Sequence, residues 1–111
     1  MKIIKAIVRP HLYEQIAESL AGIGVVGITA TDCMGHGRQN GYTELNPDIN
    51  DVKYVDKVNL EIAVMDDRVD EVIVLLEETA RSGQVGDGKI FIRELYDAVR
   101  IRDGMHGIPV L

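Results

Sequence analysis

The chain has 111 residues, enough for one compact domain with its own core and too few for two of ordinary size. Twelve Lys and Arg stand against eighteen Asp and Glu, a net charge of −6, which argues against a general electrostatic binder of nucleic acid or anionic membrane. One cysteine, Cys33, permits no internal disulfide and suits a reducing compartment.

The opening MKIIKAIVRPH has a short apolar run soon broken by Arg9 and Pro10. It reads as neither a signal peptide nor a spanning helix, so no direct membrane insertion is expected and the cytoplasm is the default location. Within it, residues 3–8, IIKAIV, are β-branched and predict a strand. Pro10 suits a helix start, and Leu12, Ile16, Leu20 and Ile23 recur at helical spacing until Gly22 and Gly24 end the run. Residues 25–34, VVGITATDCM, predict a second strand. Residues 35–56 carry glycines, Pro47, asparagines and aspartates without a sustained apolar period, and predict a long exposed loop. Connections of that length are usually functional or mobile.

Residues 57–65, KVNLEIAVM, restore the strand pattern. Asp66 or Asp67 is then placed to cap a helix whose buried stripe is Val69, Val72, Ile73, Leu76 and Ala80, with Val74 and Leu75 widening it. Residues 89–99, KIFIRELYDAV, predict a last strand with a bend near its end, and the tail is expected either loose or lying against a neighbour. This order most economically forms an α+β, ferredoxin-like βαββαβ plait: four antiparallel strands, both helices on one face, and a long loop between strands 2 and 3. The opposite sheet face is also expected to be apolar, and an oligomer would cover it.

Three stretches carry candidate chemistry. In SGQVGDGK, residues 82–89, Gly83, Gly86 and Gly88 leave amides uncovered and Lys89 adds a charge, a nest suited to phosphate oxygens. It is not GxxxxGK[ST], because Ile90 stands where a magnesium hydroxyl would be. The plain alternative is a tight helix-to-strand connection. Arg100 and Arg102 alternate about Ile101 and would share one side of an extended segment, offering forked donors to polyphosphate or carboxylate; solvated basic residues are the alternative. In GHGRQNG, residues 35–41, Gly35 and Gly37 free backbone amides beside Arg38, and the Gln39 amide oxygen can join a metal shell; a simple hinge is the rival. His11, His36 and His106 are too scattered for zinc, and no histidine base can be assigned to Cys33. Asp66 and Asp67 read as helix-start caps. The chain offers binding groups without a recognisable catalytic engine, and is not expected to be an enzyme.

GHGRQNGYTEL at 35–45, SGQVGDGKIF at 82–91, VRIR at 99–102 and MKIIKAIVRP at the start closely resemble the PII nitrogen-regulatory signal proteins, over nearly the whole chain to about Arg102. The resemblance implies a single PII-like domain over 1–111, with a T-loop at about 37–54, a B-loop at 82–89 and a C-terminal segment at 100–111. It also implies a homotrimer holding ATP or ADP in the clefts between subunits. By that likeness Gly86, Asp87, Gly88 and Lys89 hold the phosphates, with Arg100 and Arg102 from the adjoining subunit and Arg38 in some loop states. Ile7, Thr29, Glu61, Ile62 and Ala63 fall where the family lines the adenine and ribose pocket. Gln39 helps hold Mg²⁺ bound to ATP and 2-oxoglutarate, and Lys57 pairs with a carboxylate of that oxoacid.

The implied function is a non-catalytic sensor of ATP, ADP and 2-oxoglutarate. Its T-loop would regulate a nitrogen-metabolism client such as an ammonium transporter, nitrogenase or a biosynthetic enzyme. Two alternatives stay open: a PII-like nucleotide-binding regulator outside nitrogen metabolism, and a slow ATPase. Three departures bear on the choice. Position 51 is aspartate where members regulated by uridylylation carry a tyrosine, no serine occurs from 35 to 56, and Pro47 stands where transporter-binding members have an arginine.

Overall fold

The computed structural model describes residues 1–36 and 54–111. Strand β1 is Lys2–Val8, α1 is Tyr13–Gly22, β2 is Ile28–His36, β3 is Tyr54–Val64, α2 is Val69–Ala80 and β4 is Lys89–Glu94. The sheet order is β2-β3-β1-β4, and every neighbouring pair is antiparallel. This is the expected α+β, ferredoxin-like plait.

Alternation in β1 builds the core. Ile4, Ala6 and Val8 face the helices and are closed to solvent, opposite Ile62, Leu60 and Val58 of β3. Ile16 and Leu20 of α1 and Val72 and Leu76 of α2 complete the same cluster, so both helices lie on one sheet face. The predicted α2 stripe is thus confirmed at its centre. Val69, Leu75 and Ala80 are partly buried against the core, whereas Val74 is half exposed.

Several boundaries differ from expectation for identifiable reasons. Pro10–Leu12 forms a 3₁₀ turn before α1 starts at Tyr13. The predicted second strand was to begin at Val25. Instead the Val25 amide donates to the Leu20 carbonyl and its side chain enters the core, so β2 starts at Ile28. The predicted long loop loses both ends to the sheet, since Gly35 pairs with Val55 and His36 with Tyr54. Of the T-loop expected at about 37–54, residues 37–53 lie outside the described residues and Tyr54 opens β3.

Asp66 and Asp67 do not cap α2 with their side chains. Asp66–Arg68 is a 3₁₀ turn, and the Asp66 carboxylate pairs with the Lys2 ammonium at 3.2 Å. The last strand ends at Glu94, short of 99. The tail folds back on itself, with Val99 bridged to His106, the Gly107 amide donating to Ala98 and His106 Nδ1 lying 2.7 Å from Asp97.

The open sheet face is less apolar than expected. Register places Ile3 opposite Ala63, Lys5 opposite Glu61 and Ile7 opposite Asn59, with Phe91 of β4 beside Lys5. Polar and apolar residues therefore alternate across it. Because Leu60 is fully buried at the middle of the core, Leu60→Ala is expected to lower stability by about 2–5 kcal/mol. Urea unfolding at fixed protein concentration measures this.

Candidate functional site

The loop between α2 and β4 is built around one carboxylate. Asp87 accepts hydrogen bonds from the Ser82 amide at 2.8 Å and the Gly83 amide at 2.8 Å, and from the Ser82 hydroxyl. Arg9, arriving from the end of β1, also donates to Asp87 through Nη1 and to the Val85 carbonyl through Nη2 at 3.2 Å. These donors hold the Asp87 carboxyl far below the usual carboxylate range, Ser82 being the largest influence and Arg9 the next.

With its side chain turned inward, Asp87 cannot present that carboxylate as an outward ligand. Gly86 and Gly88 flank it with φ of +102° and +99°, conformations that side-chain-bearing residues rarely adopt. A Cβ on Gly88 would lie 1.7 Å from the Ile7 carbonyl oxygen, so the loop can approach β1 only with glycine there. The amides of Ser82, Gly83, Gln84 and Asp87 are satisfied inside the loop, whereas no hydrogen bond within residues 82–88 engages those of Gly86 or Gly88.

Lys57 comes up from β3 beneath this loop. Only 5 % exposed, it donates from Nζ to the Gly86 carbonyl at 2.7 Å. Its pKa is lowered, first by burial and then by the nearby Arg9 guanidinium. Gly35 on β2 lies alongside, close enough that a Cβ there would meet the Lys57 stem at 3.5 Å. Lys89 opens β4 opposite Ile7. Arg9 and Lys57 thus come together near the Asp87 carboxylate, with Lys89 two residues on along the chain, a local positive excess in a chain of net charge −6. Oriented amides beside fixed cations suit an anion. A cleft of about 250 Å³ adjoins the loop, lined by Leu76, Ala80, Gly88, Lys89 and Ile90 among others. It is smaller than the 300 Å³ or so at which ligand pockets usually begin.

The other expected site residues lie elsewhere on this subunit. Thr29 pairs with Glu61 on the open face, and Ala63 pairs with Ile3 toward the opposite end of β1. The Ile62 side chain is wholly buried in the core, which leaves only its backbone to meet a ligand. Arg100 and Arg102 do not share the side of an extended strand, because residues 101–103 turn. Arg100 is held by Asp103, its Nη2 at 3.0 Å from Oδ2, and by Met105 Sδ at 3.2 Å. Although close to Lys89 in sequence, both arginines follow the far end of β4. Gly37, Arg38 and Gln39 lie outside the described residues.

Arg9 is the residue that sequence reasoning passed over. Its signal was topological: once β1 and β4 are antiparallel with Ile7 opposite Lys89, the residue two beyond Ile7 falls beside Asp87. Because the Asp87 pKa is depressed by folding, its contribution to stability is complete above the unfolded value of about 3.9 and is lost as pH falls below it. The difference in urea midpoint between the wild-type chain and Asp87→Asn is therefore expected to shrink between about pH 6 and about pH 3, and a gap independent of pH would contradict this.

No helix among the described residues is long and apolar enough to cross a membrane. Residues 1–105 match the family described as Nitrogen regulatory protein P-II. The chain is 41% identical over 105 residues to Nitrogen regulatory protein GlnK of Escherichia coli (strain K12), covering 94% of each. It is 44% identical over 105 residues to Nitrogen regulatory protein P-II of Haemophilus influenzae, again covering 94% of each. Nitrogen regulatory protein P-II of Bradyrhizobium diazoefficiens is 38% identical over 112 residues and is covered in full. With this fold, and with family similarity running through both the central strand and the 82–89 loop, the chain belongs to the P-II family of nitrogen regulatory proteins.

Proposed function

We propose that the chain is a non-catalytic, homotrimeric signal protein of the cytoplasm. It senses ATP, ADP and 2-oxoglutarate, and it regulates a nitrogen-metabolism client through residues 37–54. The observation that carries the reading is the 82–89 loop, where the Gly86 and Gly88 amides, unbonded within the loop, and the Lys89 charge offer a phosphate site.

Trimer formation is supported by where the remaining residues lie. The loop sits at the end of β1 and the start of β4, while Arg100 and Arg102 follow the end of β4, roughly 20 Å away along a six-residue strand. One subunit cannot bring both groups to one small ligand, but a neighbour's C-terminal segment can. The modest cleft beside the loop and the uncovered sheet face fit the same arrangement.

In that assembly Lys89 and the two glycine amides bind phosphate oxygens, with Arg38 and the adjoining Arg100 and Arg102. Ile7, Thr29, Glu61, Ala63 and the Ile62 backbone line the base and ribose. Gln39 and the Gly35 to Gly37 backbone hold the Mg²⁺ and oxoacid end, where the metal neutralises phosphate charge. The Lys57 ammonium has three protons, so it can keep the Gly86 carbonyl and still donate to a 2-oxoglutarate carboxylate. The oxoacid is thereby linked to the phosphate loop. A client that fits one conformation of residues 37–54 reads the resulting population shift.

No observation favours a slow ATPase. Asp66 and Asp67, the carboxylate pair it could use, lie by Lys2 at the start of β1, roughly 20 Å along the strand from the loop. Calorimetric titration of ATP with Mg²⁺ tests the proposal, and binding should tighten when 2-oxoglutarate is present. ATP binding indifferent to the oxoacid would instead support a nucleotide regulator outside nitrogen metabolism. Lys89→Ala should weaken ATP by about tenfold or more, the loss of one charged hydrogen-bonding partner, with the oligomeric mass unchanged. Equal affinity in that variant would remove Lys89 from the site.

A further inference from the structure

Arg9 stands outside the loop in sequence yet holds it at several points. Its Nη1 donates to Asp87 and lies 3.4 Å from the Ser82 hydroxyl, and its Nη2 donates to the Val85 carbonyl. Both terminal nitrogens therefore already make contacts inside the loop, which hold the guanidinium against it. The guanidinium and the Asp87 carboxylate are each about one quarter exposed, at 26% and 23%, so the pair is sheltered more than an ordinary surface ion pair. Asp87 in turn fixes the Ser82 and Gly83 amides. From Arg9 through Asp87, the chain of contacts fixes the Ser82 and Gly83 amides, while those of Gly86 and Gly88 make no bond within the loop.

We infer that Arg9 is a positioning residue for anion binding: anchored on β1, it clamps Asp87, Ser82 and Val85 so that the Gly86 and Gly88 amides and Lys89 keep a phosphate-accepting arrangement, without touching the anion itself. This rests on the nucleotide reading above. Rigid anchoring matters because a loop free to sample other shapes binds more weakly by the fraction of time it is competent. Arginine suits the task, since its planar fork reaches a carboxylate and a carbonyl together and lysine offers only a point charge.

A direct phosphate contact and a positioning role predict opposite outcomes at Asp87. If Arg9 were a ligand held back by Asp87, then Asp87→Asn would release it and remove a negative charge near the phosphates, and ATP would bind more tightly. If Arg9 positions the loop through Asp87, the same substitution loosens the loop and ATP binds more weakly.

The experiment is calorimetric titration of ATP with Mg²⁺ into the wild-type chain, Arg9→Gln, Arg9→Lys, Asp87→Asn and the double variant Arg9→Gln/Asp87→Asn, each also tested by urea unfolding. Arg9→Gln and Asp87→Asn should each weaken ATP by about tenfold, the scale of one charged hydrogen-bond partner. The double variant should be no weaker than the worse single one, because both substitutions break the same clamp. Arg9→Lys should recover only part of the loss. Tighter binding in Asp87→Asn, unchanged binding in Arg9→Gln, or losses that add in the double variant would overturn the positioning role. Should Arg9→Gln fail to fold, Asp87→Asn still decides by its sign. Absence of ATP binding by the wild-type chain would overturn the nucleotide reading and this inference together, whereas unchanged affinity in Arg9→Gln overturns this inference alone.

Discussion

Strand β1 lies between β3 and β4 and pairs with both, so its backbone sets the position of each neighbour while its alternate side chains seat the two helices. Ile4, Ala6 and Val8 are closed over by Ile16, Leu20, Val72 and Leu76, and this burial holds the strand in one register. A slip of one residue would turn those apolar groups outward and bring Ile3, Lys5 and Ile7 into the core. The core therefore does more than stabilise the fold, because the same register determines what stands at the end of β1.

At that end the Ile7 carbonyl faces Gly88 and the next cation, Arg9, faces Asp87. The glycine allows the two backbones to approach, and the arginine supplies a charge where the loop carboxylate turns inward. Lys57 adds a third connection from the neighbouring strand through the Gly86 carbonyl. Two further strands, β1 and β3, thus contribute to a loop that in sequence belongs only to the junction between α2 and β4. Ion pairs on open surfaces contribute little, but here the carboxylate also accepts from two amides and a hydroxyl.

Charge is distributed unevenly along the sheet. At one end the loop brings Arg9 and Lys57 to Asp87, and Lys89 follows in the chain. At the other, Lys2 is balanced by Asp66 and Glu94, and Arg100 by Asp103. An acidic chain can in this way keep a local concentration of positive charge at one end of its sheet. On one subunit the two ends lie apart along the sheet, so the loop cations and Arg100 do not meet.

Much of this was legible in the amino-acid sequence. Two apolar patterns of period two, two helical stripes and a glycine cluster before Lys89 specified the element order, the ferredoxin-like plait and the glycine-rich connection into β4, because periodicity and backbone permissiveness are local properties. Strand ends were less legible. Whether Val25 belongs to a strand depends on the Leu20 carbonyl that its amide meets, and whether Gly35 and His36 do depends on Val55 and Tyr54 across the sheet. Asp66 looked like a helix cap until Lys2, far away in sequence, took its carboxylate. Sequence by itself determined which groups the site could use, whereas tertiary structure alone decided that Arg9 and Lys57 join the loop and that Arg100 does not, since strand pairing, and not nearness along the chain, sets which charges meet.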